Sequence, residues 1–178
     1  MKAIIKLGIV LALVAAISGG LLSSVYNLTN PIIEAANLKR REEQLTSIYD
    51  GGESFEEITD YIDEFSTITN CFKVVKDGEI KGYVYQLSVN GYGGKVTFLV
   101  ALDASGIYKG YETIDVTTET SGFGSRVATD EMKAKVVGKE IGSKLDALTG
   151  ATITSSAVIR GIDDAVAHYQ KLKGGDGA

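Results

Sequence analysis

From Leu7 to Tyr26 the chain runs without a charge through Leu, Ile, Val, Ala, Gly and Ser, close to the ~20 residues that an α-helix needs to cross a bilayer. Asn30-Pro31 permits a boundary, and Ile32 to Ile48 reads as a second helical segment. From Ile68 the pattern shortens towards strands: Cys71 to Val75, a turn signal at Asp77-Gly78, then Ile80 to Val89. Gly91-Tyr92-Gly93-Gly94 interrupts it, Lys95 to Leu102 resumes it, and Asp103-Ala104-Ser105-Gly106 turns the chain into Ile107 to Val116. Helical spacing returns at Thr129 to Val137 and governs the run from Thr154 to about Lys173. The order predicts an α+β fold, an antiparallel-rich sheet of three or four strands in a meander with packed helices, preceded by one N-terminal transmembrane helix.

This divides the chain into a basic end at 1–6, a span at 7–26, a helical, acidic connecting segment at 27–65, a folded domain at 66–173 and a flexible tail at 174–178. A cleaved signal peptide competes for the first segment, since a basic head and an apolar middle mark one. The length of the apolar run, the lack of an Ala-x-Ala site before a polar start and its passage into a helix-like segment favour a retained anchor. Lys2 and Lys6 favour a cytoplasmic N-terminus with the domain outside, and Lys39, Arg40 and Arg41 near the far end weaken that bias.

Charge narrows the chemistry. From Glu42 onward 13 basic residues face 22 acidic ones, so no basic stripe is left for nucleic acid. The single cysteine, Cys71, excludes an internal disulfide or a Cys cluster, and the single histidine, His168, argues against a multi-His metal site. Nine acidic residues between Glu42 and Glu64 lack calcium-loop spacing and read as a solvated face.

Candidate chemistry gathers at Asp146-Ala-Leu-Thr-Gly-Ala-Thr-Ile-Thr-Ser-Ser156, where hydroxyls and bare backbone precede a helix. A helix start offers unpaired N–H groups and a positive dipole end to a phosphate. Capping by Thr154, Ser155 or Ser156 explains the same residues. The glycine loop at 91–94 is a turn that also permits close approach of a ligand. Glu119-Thr-Ser-Gly-Phe-Gly124 follows a strand with amide-rich backbone. Arg126, Lys133 and Lys135 come next, as ordinary surface charges or as groups near a phosphate.

Asp146 to Thr152 resembles the flavin-attachment motif of the FMN-binding domain family, Asp-x-x-(Ser/Thr)-Gly-Ala-(Thr/Ser), with every fixed position filled. Glu119 to Gly124 resembles that family's Glu-Thr-Pro-Gly-Leu-Gly element, with Ser121 for Pro and Phe123 for Leu, and 91–94 resembles its Gly-Tyr-x-Gly stretch. With the anchor, the resemblance extends to the G subunits of Rnf-type ion-translocating ferredoxin:NAD oxidoreductases. It implies FMN joined through a phosphoester to Thr152, and cofactor contacts from Asp146, Thr149, Gly150, Ala151, Glu119, Thr120, Gly122, Gly124 and Tyr92. It also implies a flavin transferase for maturation, other membrane subunits of the complex as partners, and membrane lipid around the anchor. Related covalent-FMN subunits of sodium-translocating NADH:quinone reductases, another extracytoplasmic flavoprotein and a non-redox accessory domain are the alternatives.

Overall fold

The structure is a computed structural model that describes residues 2–175. It divides into two units, one ending at Glu43 and one beginning at Gln44. The first is helical. Helix α1 (Lys2–Ile48) contains a 20-residue stretch, Leu11–Asn30, long and apolar enough to cross a membrane. Its Leu11, Leu21, Val25 and Leu28 are all exposed, an apolar surface suited to lipid. The expected boundary at Asn30-Pro31 does not interrupt the helix. A proline inside a helix removes one N–H donor and strains one turn, and the strong helix formers after it, Ala35, Ala36 and Leu38, favour continuation.

The second unit is a five-stranded antiparallel meander. Strands β1 (Ser54–Ile58), β2 (Ile68–Lys76), β3 (Glu79–Asn90), β4 (Lys95–Asp103) and β5 (Tyr108–Asp115) lie side by side in chain order. The Asp77-Gly78 signal makes a two-residue hairpin between Lys76 and Glu79, with both turn residues at positive φ, the twist that right-handed strands require. The helical connection expected over 27–65 is corrected beyond Ile48, where α1 ends: Ser54–Ile58 forms strand β1 paired with β2, and Ile62–Glu64 forms a short 3-10 turn. Helices α2 (Asp130–Val136) and α3 (Thr152–Gly175) complete the unit, and α3 takes in Gly174 and Gly175 of the expected tail; 176–178 lie outside the described residues.

Alternation along the strands sends side chains to two cores. Beneath α2 and α3 lie Tyr85, Leu87, Phe98, Val100 and Leu102, meeting Met132, Val158, Ile162 and Tyr169. On the opposite face Phe72, Val74, Val84, Leu99 and Ala101 meet Leu45, Ile48 and Tyr49. Gly82 and Gly110 make that approach possible, because a Cβ at either would fall within 2.7 Å of the Tyr49 ring or the Ile48 side chain. The domain's second core thus recruits the last turn of α1. Its first core ends at the N-terminus of α3, where three loops meet.

Candidate functional site

Those loops are 91–94 between β3 and β4, 119–124 after β5, and 146–151 before α3. Gly91 N–H bonds Gly94 O at 2.7 Å and closes the first loop. In the last, Ala151 N–H bonds Leu148 O at 3.0 Å, and Gly150 takes φ +82, a left-handed conformation that suits glycine. Arg126 donates to Thr149 O at 2.5 Å and to Glu131 Oε2 at 2.6 Å, pinning this loop from the side.

Helix α3 starts at Thr152, ahead of all three hydroxyls expected to cap it. Thr154 and Ser155 act from within the first turn instead. Ser155 Oγ accepts the Leu148 N–H at 2.9 Å and donates to Ala151 O at 2.8 Å, sewing the incoming loop to the helix. The first amide of α3 to bond back is Ser155 N–H, to Ala151 O at 2.9 Å. The N–H groups of Thr152, Ile153 and Thr154 precede it and belong to the donor end of the helix.

Between the three loops lies a cleft of about 450 Å³, lined by Tyr92, Thr120, Phe123, Gly124 and the stretch from Gly150 to Thr154. Tyr92, Phe123 and Ile153 are 73%, 60% and 59% exposed at its rim, more than the other exposed large apolar side chains described in the domain. Thr152 is exposed, and its hydroxyl makes only a 3.5 Å contact with Leu148 O. Its hydroxyl thus stands at the cleft wall with one long hydrogen bond.

Of the residues that the sequence nominated, Tyr92, Thr120, Gly124, Gly150, Ala151 and Thr152 line this cleft. Four do not. Asp146 is an exposed partner of Lys144 at 3.8 Å, and Thr149 is exposed with its carbonyl on Arg126. Gly122 sits in a tight turn at φ +77 with its N–H on Ser125 Oγ. Glu119 is buried behind the wall, its carboxylate turned to the Gly93 amide and the Thr154 hydroxyl. Lys133 and Lys135 lie on α2 and do not line the cleft. Sequence reasoning passed over Phe123, Ile153 and Thr154 as lining groups. Phe123 carried a signal, an exposed aromatic between two glycines, whereas Ile153 and Thr154 read as ordinary first-turn residues.

The remaining candidates are structural. Cys71 is fully buried in β2, and burial pushes its thiol up to about 12. His168 is fully buried in α3, with Nε2 at 2.7 Å from Asp60 O and Nδ1 at 3.2 Å from Tyr85 Oη. A carbonyl only accepts, so Nε2 carries a proton towards Asp60 O.

Comparison with known proteins bears on the same stretch. Residues 91–167 match the FMN-binding domain, and residues 1–48 match the RnfG N-terminal region. The chain is 24% identical to the G subunit of the proton-translocating ferredoxin:NAD(+) oxidoreductase complex of Clostridium ljungdahlii, across 89% of this chain and 88% of that one. It is 27% identical to the G subunit of the Na(+)-translocating ferredoxin:NAD(+) oxidoreductase complex of Acetobacterium woodii, across 96% and 94%. Among solved structures, the crystal structure of Shewanella oneidensis NqrC aligns with a TM-score of 0.46 at 22% identity, covering 60% of this chain and 61% of that one. The region similar to the FMN-binding domain takes in the glycine loop, the 119–124 segment and the Thr152 turn alike, and the region similar to the RnfG N-terminal region lies ahead of it.

Proposed function

We propose that this protein is a membrane-anchored electron carrier holding FMN by a phosphoester to Thr152, and that it serves as the G-type subunit of an Rnf-type ion-translocating ferredoxin:NAD oxidoreductase. The observation that carries the reading is the exposed Thr152 hydroxyl at the donor end of α3, beside a cleft with aromatic rims, inside the FMN-binding match. A flavin requires an apolar slot for its ring and hydrogen-bond donors at its phosphate. The residues present fit both needs: Tyr92, Phe123 and Ile153 offer apolar surface, and the first amides of α3 offer donors.

When bound, FMN supplies reversible one- and two-electron transfer. The chain's own residues position it. Thr152 Oγ1 takes the ester bond, with formal loss of one water between its hydroxyl and the phosphate of FMN. The amides of Ile153 and Thr154, with the dipole of a 24-residue helix behind them, favour the negative charge that remains on the phosphodiester. Attachment at the phosphate leaves the ring free for redox chemistry and prevents its loss by dilution outside the cell.

The remaining parts of the reading follow the relatives named above. Leu11–Asn30 anchors the chain in lipid, Lys2 and Lys6 keep the N-terminus in the cytoplasm, and the FMN domain stands outside it. A separate flavin transferase installs the cofactor. Other membrane subunits donate and accept the electrons, and ion translocation belongs to the assembled complex.

Intact mass of the protein from its own host, with peptide mapping across Thr149 to Arg160, tests the attachment. A gain of one FMN less one water, on Thr152, is expected. An unmodified chain without flavin fluorescence, from a host that flavinylates other proteins, overturns the reading and favours an accessory domain.

A further inference from the structure

Three walls of the cleft converge on one carboxylate that does not itself line it. Glu119 is 8% exposed, and among the described residues it forms no ion pair with a lysine or arginine. Its Oε1 accepts the Gly93 N–H at 3.1 Å, from the glycine loop. Its Oε2 accepts the Thr154 hydroxyl at 3.1 Å, from the first turn of α3, and Thr154 Oγ1 in turn accepts the Tyr92 N–H at 3.2 Å. The fit is close on both sides: a Cβ at Gly91 would stand 2.0 Å from Oε1, and one at Gly124 1.8 Å from Oε2.

The direction of these bonds identifies the group required. An amide N–H can only donate, and Thr154, receiving the Tyr92 amide on its oxygen, directs its proton at Glu119. Two donors therefore face one side chain, and a carboxylate alone offers both of them an acceptor. The donor end of α3 beside it favours the negative charge. A glutamine of the same shape accepts one of the two bonds and turns its own NH2 group against the other donor, leaving it buried and unpaired.

We propose that Glu119 is a positioning residue: by accepting these two hydrogen bonds it clasps the glycine loop and the 119–124 segment to the first turn of α3, in the arrangement that FMN loading on Thr152 requires. The role rests on the function proposed above. It explains why Tyr92, Phe123 and Thr152, which come from two loops and the start of α3, line one cleft. It also assigns Gly91 and Gly124 a shared purpose, room for one carboxylate.

The test uses the full chain expressed in its flavinylating host, as Glu119→Gln, Thr154→Val, the double variant and Thr154→Ser. Amide hydrogen exchange at Tyr92 and Gly93, measured in a Thr152→Ala background that carries no flavin, reads the clasp. The rate of mass gain after induction reads loading. Glu119→Gln and Thr154→Val are each expected to speed exchange at Gly93 about ten-fold and to slow loading about ten-fold, the size expected when a buried hydrogen bond is left unmade. The double variant should lose no more than the worse single one, because both changes break one unit. Thr154→Ser keeps the hydroxyl and should restore both readings.

Protection of the β3 and β4 amides shows which variants are folded; should Glu119→Gln fail there, the Thr154→Val and Thr154→Ser pair decides. Unchanged Gly93 exchange overturns the clasp. Faster exchange with undiminished loading overturns the positioning role while the flavin reading stands, as does additive loss in the double variant. Absence of flavin from the unaltered chain overturns the function and the loading role together, and the exchange measurement then judges the clasp by itself.

Discussion

The face of the sheet under α3 and the face under the end of α1 bury similar strand residues but differ in polarity. Glu119, Thr154, Ser155 and His168, the buried polar and charged residues among those described, all belong to the α3 side, and each has hydrogen-bond partners there. The other face joins Leu45 and Ile48 to Phe72, Val74, Val84, Leu99 and Ala101, with the Tyr49 hydroxyl on Lys81 O as a polar contact. Buried polar groups cost free energy unless bonded, and when bonded they fix geometry. The difference assigns the faces different work: one holds three loops in register around a cleft, and the other supplies cohesion where helix α1 ends.

Substitution on each face separates those roles. Thr152→Ala should abolish covalent flavin entirely while changing stability by no more than about 0.5 kcal/mol, as for an exposed residue with one marginal contact. Intact mass and thermal unfolding together check it. Leu45→Ala should do the reverse. A buried leucine lost to a cavity costs about 2–5 kcal/mol, visible in the denaturant midpoint, while the flavin content per folded molecule stays the same. Loss of flavin in folded Leu45→Ala would show that the second face also shapes the site.

The two faces were not equally legible in the sequence. Strands β2 to β5 announced themselves because turn chemistry separates them; Asp77-Gly78 permits a two-residue hairpin and little else. Strand β1 did not, since Ser-Phe-Glu-Glu-Ile carries the charges typical of an edge and reads as part of an acidic helix. The recruitment of Leu45, Ile48 and Tyr49 was hidden for another reason. Their partners Gly82 and Gly110 lie 30 residues or more away, and a glycine that admits a helix looks like any other strand glycine. At the site, the resemblance to a motif nominated six lining residues, but motif order does not tell a lining residue from a strut. Glu119 required the path of the 91–94 loop before its carboxylate could be placed.

A smaller effect sharpens the comparison through pH. Cys71 lies in the core under α3, where burial raises its thiol from 9.0 to about 12. A raised folded value means that the neutral thiol is favoured in the native state. Its contribution is fully present below pH 9 and is lost as pH rises from about 9 towards about 12, while the unfolded thiol ionises and the folded one does not. Cys71→Ala should therefore flatten part of the alkaline decline in unfolding midpoint, alongside its cavity cost at every pH. In the native protein at about pH 8 the thiol should resist alkylation and react only on unfolding. Ready alkylation of folded protein would mean that this core opens.

The smallest effect bears on the tyrosine hydroxyl of the other face. Tyr49 donates to Lys81 O at 2.6 Å, and removal of a typical hydrogen bond costs about 0.5–1.5 kcal/mol. Tyr49→Phe should fall at the low end, because Lys81 O also accepts the Ala104 N–H at 2.9 Å and is not left unpaired. The ring should also keep its place over Gly82, where it packs without help from the hydroxyl. Thermal unfolding of Tyr49→Phe at neutral pH measures this directly. A loss of several kcal/mol would mean that the α1 side depends on directional bonding as the α3 side does, and the division between a cohesive face and a geometric one would fall with it.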